Sequence, residues 1–310
     1  MRLALAPLMI LCCLMRVSFP AGAASFDCTT ASSRVERMIC ADAALSTADG
    51  ALGAAFAEAL AASPHPQGLR ADQRQWIASQ RDKATAPNDL LTAYQNRTKE
   101  LRDQIAAWQA VRQSAGTTAP DKCLKLMDQG DAVCTVTETG KLAGAPGGPL
   151  RYRLQTWRDG EQTVGTGVVV LAGDGADTRP VAWSAGEDAF YEAPEILKTP
   201  QGTLLDLPGH LAGTGNFSAE SLFVFRDAAW HDVDIDSWIK QLEARLPKGV
   251  GAWKGIYPDW KTMTAETPLW REGDGNCCPR AGSAAATLRL DRDRIVLVSL
   301  RLSSQPLPDR

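Results

Sequence analysis

The spacing of apolar residues changes once along this 310-residue chain, and that change limits what it can fold into. Up to about residue 112 the period is helical. Ser33-Arg-Val-Glu36 has the form of a capping box, in which each side chain satisfies the other's backbone amide, so a short first helix should carry Cys40. Leu45, Leu52, Phe56 and Leu60 then share one helix face until Ser63-Pro-His-Pro66 stops it. A second amphipathic segment carries Leu69, Gln73, Trp76 and Ile77. After Pro87, Asn88 is placed to cap a long helix with a seam of Leu91, Tyr94, Thr98, Leu101, Ile105 and Trp108.

Gln113-Ser-Ala-Gly-Thr-Thr-Ala-Pro120 has linker composition, and the pattern beyond it is different. Leu150 to Trp157, Val164 to Leu171, Leu222 to Phe225, Ala284 to Leu290 and Ile295 to Leu300 are short apolar or β-branched runs between Gly, Asp and Pro turns. One helix interrupts them, with Asp236 as its cap, Trp238, Ile239, Leu242 and Leu246 on one face, and Pro247 at its end. The expected fold class is α+β. A helical hairpin or bundle over 25–112 is followed by a linker at 113–121 and a separate, mainly antiparallel β domain with one helix over 122–310. No internal repeat is clear, and the strand spacing leaves a propeller fragment or a sandwich open.

Arg2, the apolar run from Leu3 to Met15 and the small residues Ala21 to Ala24 have the layout of a signal peptide over residues 1–24, cleaved near Ala23–Ser25. Met9-Ile-Leu11 before Cys12 argues against a lipidation site, so release into a periplasm or the medium is expected. No later stretch reaches the ~20 apolar residues of a membrane span, so the chain is not expected to be membrane-integral. Losing Arg2 and Arg16 takes the net charge from −3 to −5. That excess is mild and argues against a nucleic-acid partner. Residues 25–112 carry ten basic and ten acidic side chains, so the excess belongs to the β-rich part. The remaining cysteines, Cys28, Cys40, Cys123, Cys134, Cys277 and Cys278, read in an oxidising compartment as disulfides first and metal ligands second.

The helical region carries a longer pattern: Phe26-Asp-Cys28, Ala31, Glu36, Ile39-Cys40-Ala41, Leu45, Asp49, Gln73-Arg-Gln-Trp76, Arg81-Asp82, Tyr94, Arg97 and Leu101. In that order and spacing it resembles the N-terminal domain of the LprI-type lysozyme inhibitor family, a group of exported bacterial proteins. The resemblance implies that a lysozyme or another envelope protein is the partner, with no cofactor and no covalent step. Where the family carries a second cysteine pair, this chain has Lys83 or Ala84 and Asp89. A bond between Cys28 and Cys40 would pin the N-terminus of the mature chain onto the helices, and a loop of that size is worth about 3 kcal/mol in the chain-entropy model.

The other candidate sites lie in the β-rich region. Cys277 and Cys278 are adjacent, and neighbouring Cα atoms about 3.8 Å apart do not favour a mutual disulfide. Either Cys123 pairs with Cys134, leaving a Cys277–Cys278 bond, or two crosslinks join the start of the domain to its end; the local pair is preferred. Asp232, Asp234, Asp236 and Glu243 fall at calcium-loop spacing, but Ser237 stands where the turn needs glycine and a helix has already begun. A capped helix explains those residues, and no metal ligand set is assigned. His65, His210 and His231 match no catalytic motif, and no nucleophile elbow or phosphate loop is present, so no catalytic residue is assigned. Paired carboxylates leave no signature in sequence, and a hydrolase would be indicated only by a cleft that gathers them. Among nine tryptophans, Trp253 and Trp260, in the Gly- and Pro-containing "GVGAWKGIYPDWK", are the candidates for a partner-binding surface. The expected function is that of an exported, non-catalytic binding protein, with lysozyme inhibition as the first reading. An envelope adaptor or sensor with its ligand site in the β-rich domain is the alternative.

Overall fold

The computed structural model describes residues 24–213, 218–252, 256–275, 278–305 and 307. Residues 1–23 of the leader expected at 1–24, and Trp253, lie outside the described residues. The chain is mixed α+β: helices over about 28–114, then antiparallel sheets and one further helix. By internal contacts it divides into two compact units, residues up to Phe56 with Ile77–Lys99, and Ala57–Trp76 with Glu100–Arg310. The second unit therefore takes helical segments as well as all the strands.

In the first unit, α1 (Arg34–Ala41) starts at the capping box of Ser33 and Glu36, and the start of α2 (Ala43–Ala62) is capped by Asp42, whose Oδ1 accepts from Ala44 N at 2.8 Å and Leu45 N at 3.1 Å. Val35 and Ile39, one turn apart, are buried, as are Leu45 and Leu52. The long helix α4 (Pro87–Ser114, after α3, Pro66–Trp76) starts one residue before the expected cap, because Pro87 is pre-set for a first helical position and Leu90 N donates to Ala86 O at 3.2 Å. Its buried seam is shifted accordingly, to Leu90, Tyr94, Arg97, Thr98, Leu101 and Ile105, while Leu91 and Trp108 are half-buried.

The second unit contains three four-stranded antiparallel meanders. The first is β1 (Val133–Leu142), β2 (Leu150–Asp159), β3 (Gln162–Ala172) and β4 (Arg179–Gly186), in sequence order. After β5 (Ala189–Tyr191), the second is β6 (Glu195–Thr199), β7 (Gly202–Leu207), β9 (Ser221–Arg226) and β10 (Ala229–Asp232), with β8 (Gly209–Leu211) pairing β5 instead. The helix α5 (Ser237–Glu243) and β11 (Val250–Gly251) follow, and then the third: β12 (Tyr257–Asp259), β13 (Thr264–Pro268), β15 (Ser283–Asp291) and β16 (Arg294–Ser303), with β14 (Trp270–Arg271) paired to β11.

Alternation along the middle meander stacks the three. Leu204, Leu222 and Val224 join Trp238, Leu242, Ala286 and Leu297 in one apolar cluster. Leu205, Leu207 and Phe223 join Leu150, Val168 and Val170 in another. Successive residues of one strand thus face two different sheets, which is how the blades of a propeller pack. In β3 the whole run Val168 to Leu171 is buried, so both faces of the first sheet must be covered. Its second face packs Val169, Leu171 and Trp183 against Val111 and Ala115 at the end of α4, and the Arg112 guanidinium lies 5.0 Å from the centre of the Trp183 ring.

Candidate functional site

The family-like pattern of the first unit folds around a disulfide. Cys28 and Cys40 are bonded, with their Cα atoms 5.7 Å apart. Ahead of α1, Asp27 to Ser33 form a mostly exposed hook that is hydrogen-bonded at almost every residue. Asp27 Oδ1 accepts from Thr29 N at 2.9 Å and the Thr30 hydroxyl donates to Asp27 O at 2.8 Å. Glu36 Oε2 accepts from the amides of Ser32 and Ser33, both at 2.8 Å, and Arg37 Nη1 donates to Ser32 O at 2.5 Å. The Ser33 and Ser32 amides, in that order, hold the Glu36 carboxyl down at about 2. The hook is thus solvent-facing yet fixed, the combination that lowers the entropy cost of binding.

Beneath it, Asp49 is buried and accepts from Ser25 N at 2.6 Å and from the Tyr94 hydroxyl at 2.7 Å. Burial, then the bond to Asp49, hold the Tyr94 hydroxyl well above its ordinary range. Ser25 can lie this close because a Cβ on Gly53 would come 3.0 Å from its own Cβ. Within this unit, then, Ile39, Leu45, Asp49, Tyr94 and Arg97 of the pattern are internal and Glu36 braces the hook. The buried part of the pattern specifies the scaffold, and the hook is one surface it presents.

The candidates in the second unit are placed as follows. Cys123 and Cys134 are disulfide-bonded, with Cα atoms 6.2 Å apart. Cys278 is also in a disulfide, and Cys277 lies outside the described residues. Trp260, expected at the surface, is instead buried at 3% exposure, with its indole N–H donating to Glu220 Oε1 at 2.7 Å. The ring packs into the core shared by the second and third meanders.

The Asp232 to Glu243 stretch does not converge on a cation. Asp232 accepts from Gln67 N at 2.9 Å and faces His65 Nδ1 at 3.3 Å. Asp234 Oδ1 caps α5 through Asp236 N at 3.1 Å and Ser237 N at 2.9 Å, whereas Asp236, the expected cap, makes no capping bond with its side chain. Among the described residues no group of three or more His, Cys, Asp or Glu side chains is placed to hold a metal.

The three histidines are tied to structure. His65 Nε2 donates to Trp183 O at 2.7 Å, His231 Nε2 lies 3.1 Å from Arg226 O, and His210 stacks on Phe190 with ring centres 5.5 Å apart. The structure does bring two carboxyls together, Asp206 on β7 and Glu220 before β9, but inside the protein. Burial, and then the Glu220 charge, push Asp206 up to about 9. Burial also raises Glu220, which is engaged by Trp260. Asp206 is only 8% exposed, so this pair is an internal feature of the core and not a cleft. No signal in the sequence marks this pair.

Among the described residues no helix is long and apolar enough to cross a membrane. No curated protein matches the chain. A family model described as "Lysozyme inhibitor LprI" matches residues 27–130, about a third of the chain. That match covers the disulfide, the hook and the Asp49–Tyr94 contact, and by it the N-terminal region of this chain is similar to the LprI lysozyme inhibitor family.

Proposed function

We propose that the chain is an exported, non-catalytic binding protein that inhibits a lysozyme, with the braced hook Asp27–Ser33 as the element that enters the enzyme's cleft. The observation that carries this reading is the family match over residues 27–130, within which the hook is the segment both exposed and held by the disulfide and the capping box. Inhibition of this kind needs no covalent step. A pre-ordered loop filling a cleft excludes substrate, and its affinity gains from the ordering already supplied by the fold. The disulfides fit an oxidising compartment. The β-rich remainder serves as the body that carries the inhibitor region.

The test is a cell-wall lysis assay with a c-type lysozyme and the purified chain, comparing the parent with Thr29→Arg. Thr29 is exposed and its backbone amide, which any residue there retains, bonds Asp27, so a bulky side chain at this position obstructs docking while the fold persists. Inhibition by the parent and its loss in the variant supports the hook. Equal inhibition by both places the contact elsewhere on the N-terminal region.

A further inference from the structure

After α4, residues 115–120 run beside β1 and β2 and border an open cavity of about 570 Å³. The segment is held in place from both sides. A Cβ on Gly116 would come 2.5 Å from Ala176 O, so only glycine permits this approach to the loop before β4. Arg153 on β2 is buried and reaches the segment with its guanidinium, donating to Ala119 O at 3.1 Å, Lys122 O at 2.9 Å and Thr118 O at 3.3 Å.

All three acceptors are neutral. No carboxylate pairs with Arg153 among the described residues, and Asp121 acts on it only through space. A second cation, Arg151, lines the same cavity; its Nη1 meets Asp174 Oδ1 at 2.5 Å, an exposed pair that solvent screens. A third, Lys141, is exposed and has no ion-pair partner among the described residues. The lining thus gathers three positive charges and, among the described residues, no acid, together with the hydroxyls of Thr118, Thr139 and Thr178. Arg151 and Arg153 act on each other as like charges, and an anion in the cavity offsets that repulsion.

We infer that this cavity binds a small polyhydroxylated carboxylate of the sugar-acid class, its carboxylate held by Lys141 and Arg151 and its hydroxyls by the three threonines. Arg153 shapes the wall and adds to the positive field. The cavity is of the size that small ligands occupy. This inference is independent of the inhibitor reading.

The test is calorimetric titration of the purified chain with glucuronate, glucose and acetate, repeated on a variant combining Lys141→Gln and Arg151→Gln. Both replaced side chains are at least partly exposed, so the fold is retained. Glucuronate is expected to bind at least tenfold more tightly than either glucose or acetate, to weaken with added salt, and to lose at least tenfold in affinity in the variant. Absence of glucuronate binding, binding no tighter than that of glucose or acetate, or an affinity unchanged in a folded variant overturns the proposal. If the variant fails to fold, the comparison of the three ligands on the parent decides it.

Discussion

The Tyr94 hydroxyl donates to Asp49 Oδ1 at 2.7 Å within the buried part of the N-terminal unit, across a separation of 45 residues. This bond ties α4 to α2, and through the other Asp49 oxygen to Ser25 N, so one carboxylate anchors three stretches of chain. Tyr94→Phe leaves the ring in place and removes one donor from a buried carboxylate. The expected loss is about 2 kcal/mol, the usual size for a hydrogen bond to a charged group, read from the urea midpoint. An unchanged midpoint would mean that Asp49 is satisfied without Tyr94.

Replacing Cys28 and Cys40 together by serine frees the N-terminal segment. The closed loop spans 12 positions, for which the chain-entropy model gives about 3 kcal/mol. Unfolding is expected to shift by that order, with the amides of Thr29 to Ser33 losing protection from hydrogen exchange first.

Glu36 links the hook to acid. Its carboxyl is held at about 2, below the ordinary 4.5, by the amides it accepts from. A group whose folded value is depressed contributes stability above its unfolded value and loses it as pH falls through the folded one. The bracing is therefore complete above about 4.5 and lost toward about 2. NMR shifts of the Ser32 and Ser33 amides should titrate with a midpoint near the lower value, whereas a midpoint near the upper one would show an unbraced hook.

The Asp206–Glu220 pair has the opposite sign. Asp206 is raised from 3.8 to about 9, so its contribution is fully present below the unfolded value and disappears as pH rises through the folded one. Stability should decline across that window. Asp206→Asn removes the ionisable group, so its urea midpoint is expected to depend less on pH and to exceed the parent's near pH 9. A parent midpoint that rises with pH would contradict the raised Asp206 value.

How much of this was legible in the sequence follows the range of the interactions. Ser33 and Glu36 cap a helix from three residues apart, and their spacing alone announces it. The edges of α4 were less secure, because Pro87 and Asn88 both suit a helix start and only the position of the backbone bonds decides between them. Local spacing likewise marks Asp234 and Asp236 equally, and the chain's bend gives the capping role to Asp234. Trp260 failed as a surface candidate because its partner Glu220 is 40 residues away. The docking of the start of α3, where Gln67 reaches Asp232 and Asp293, spans still longer separations. The three meanders repeat as folds without repeating as sequences, since any β-branched or apolar residue fills an inward position.

The most direct measurement is a titration of the purified, oxidised chain against a c-type lysozyme, following cell-wall lysis, with the Cys28–Cys40 bond confirmed by mass spectrometry. Stoichiometric inhibition that weakens when Cys28 and Cys40 are replaced by serine is the expected result. Lysis that proceeds at full rate in excess of the oxidised, folded chain would contradict the inhibitor reading.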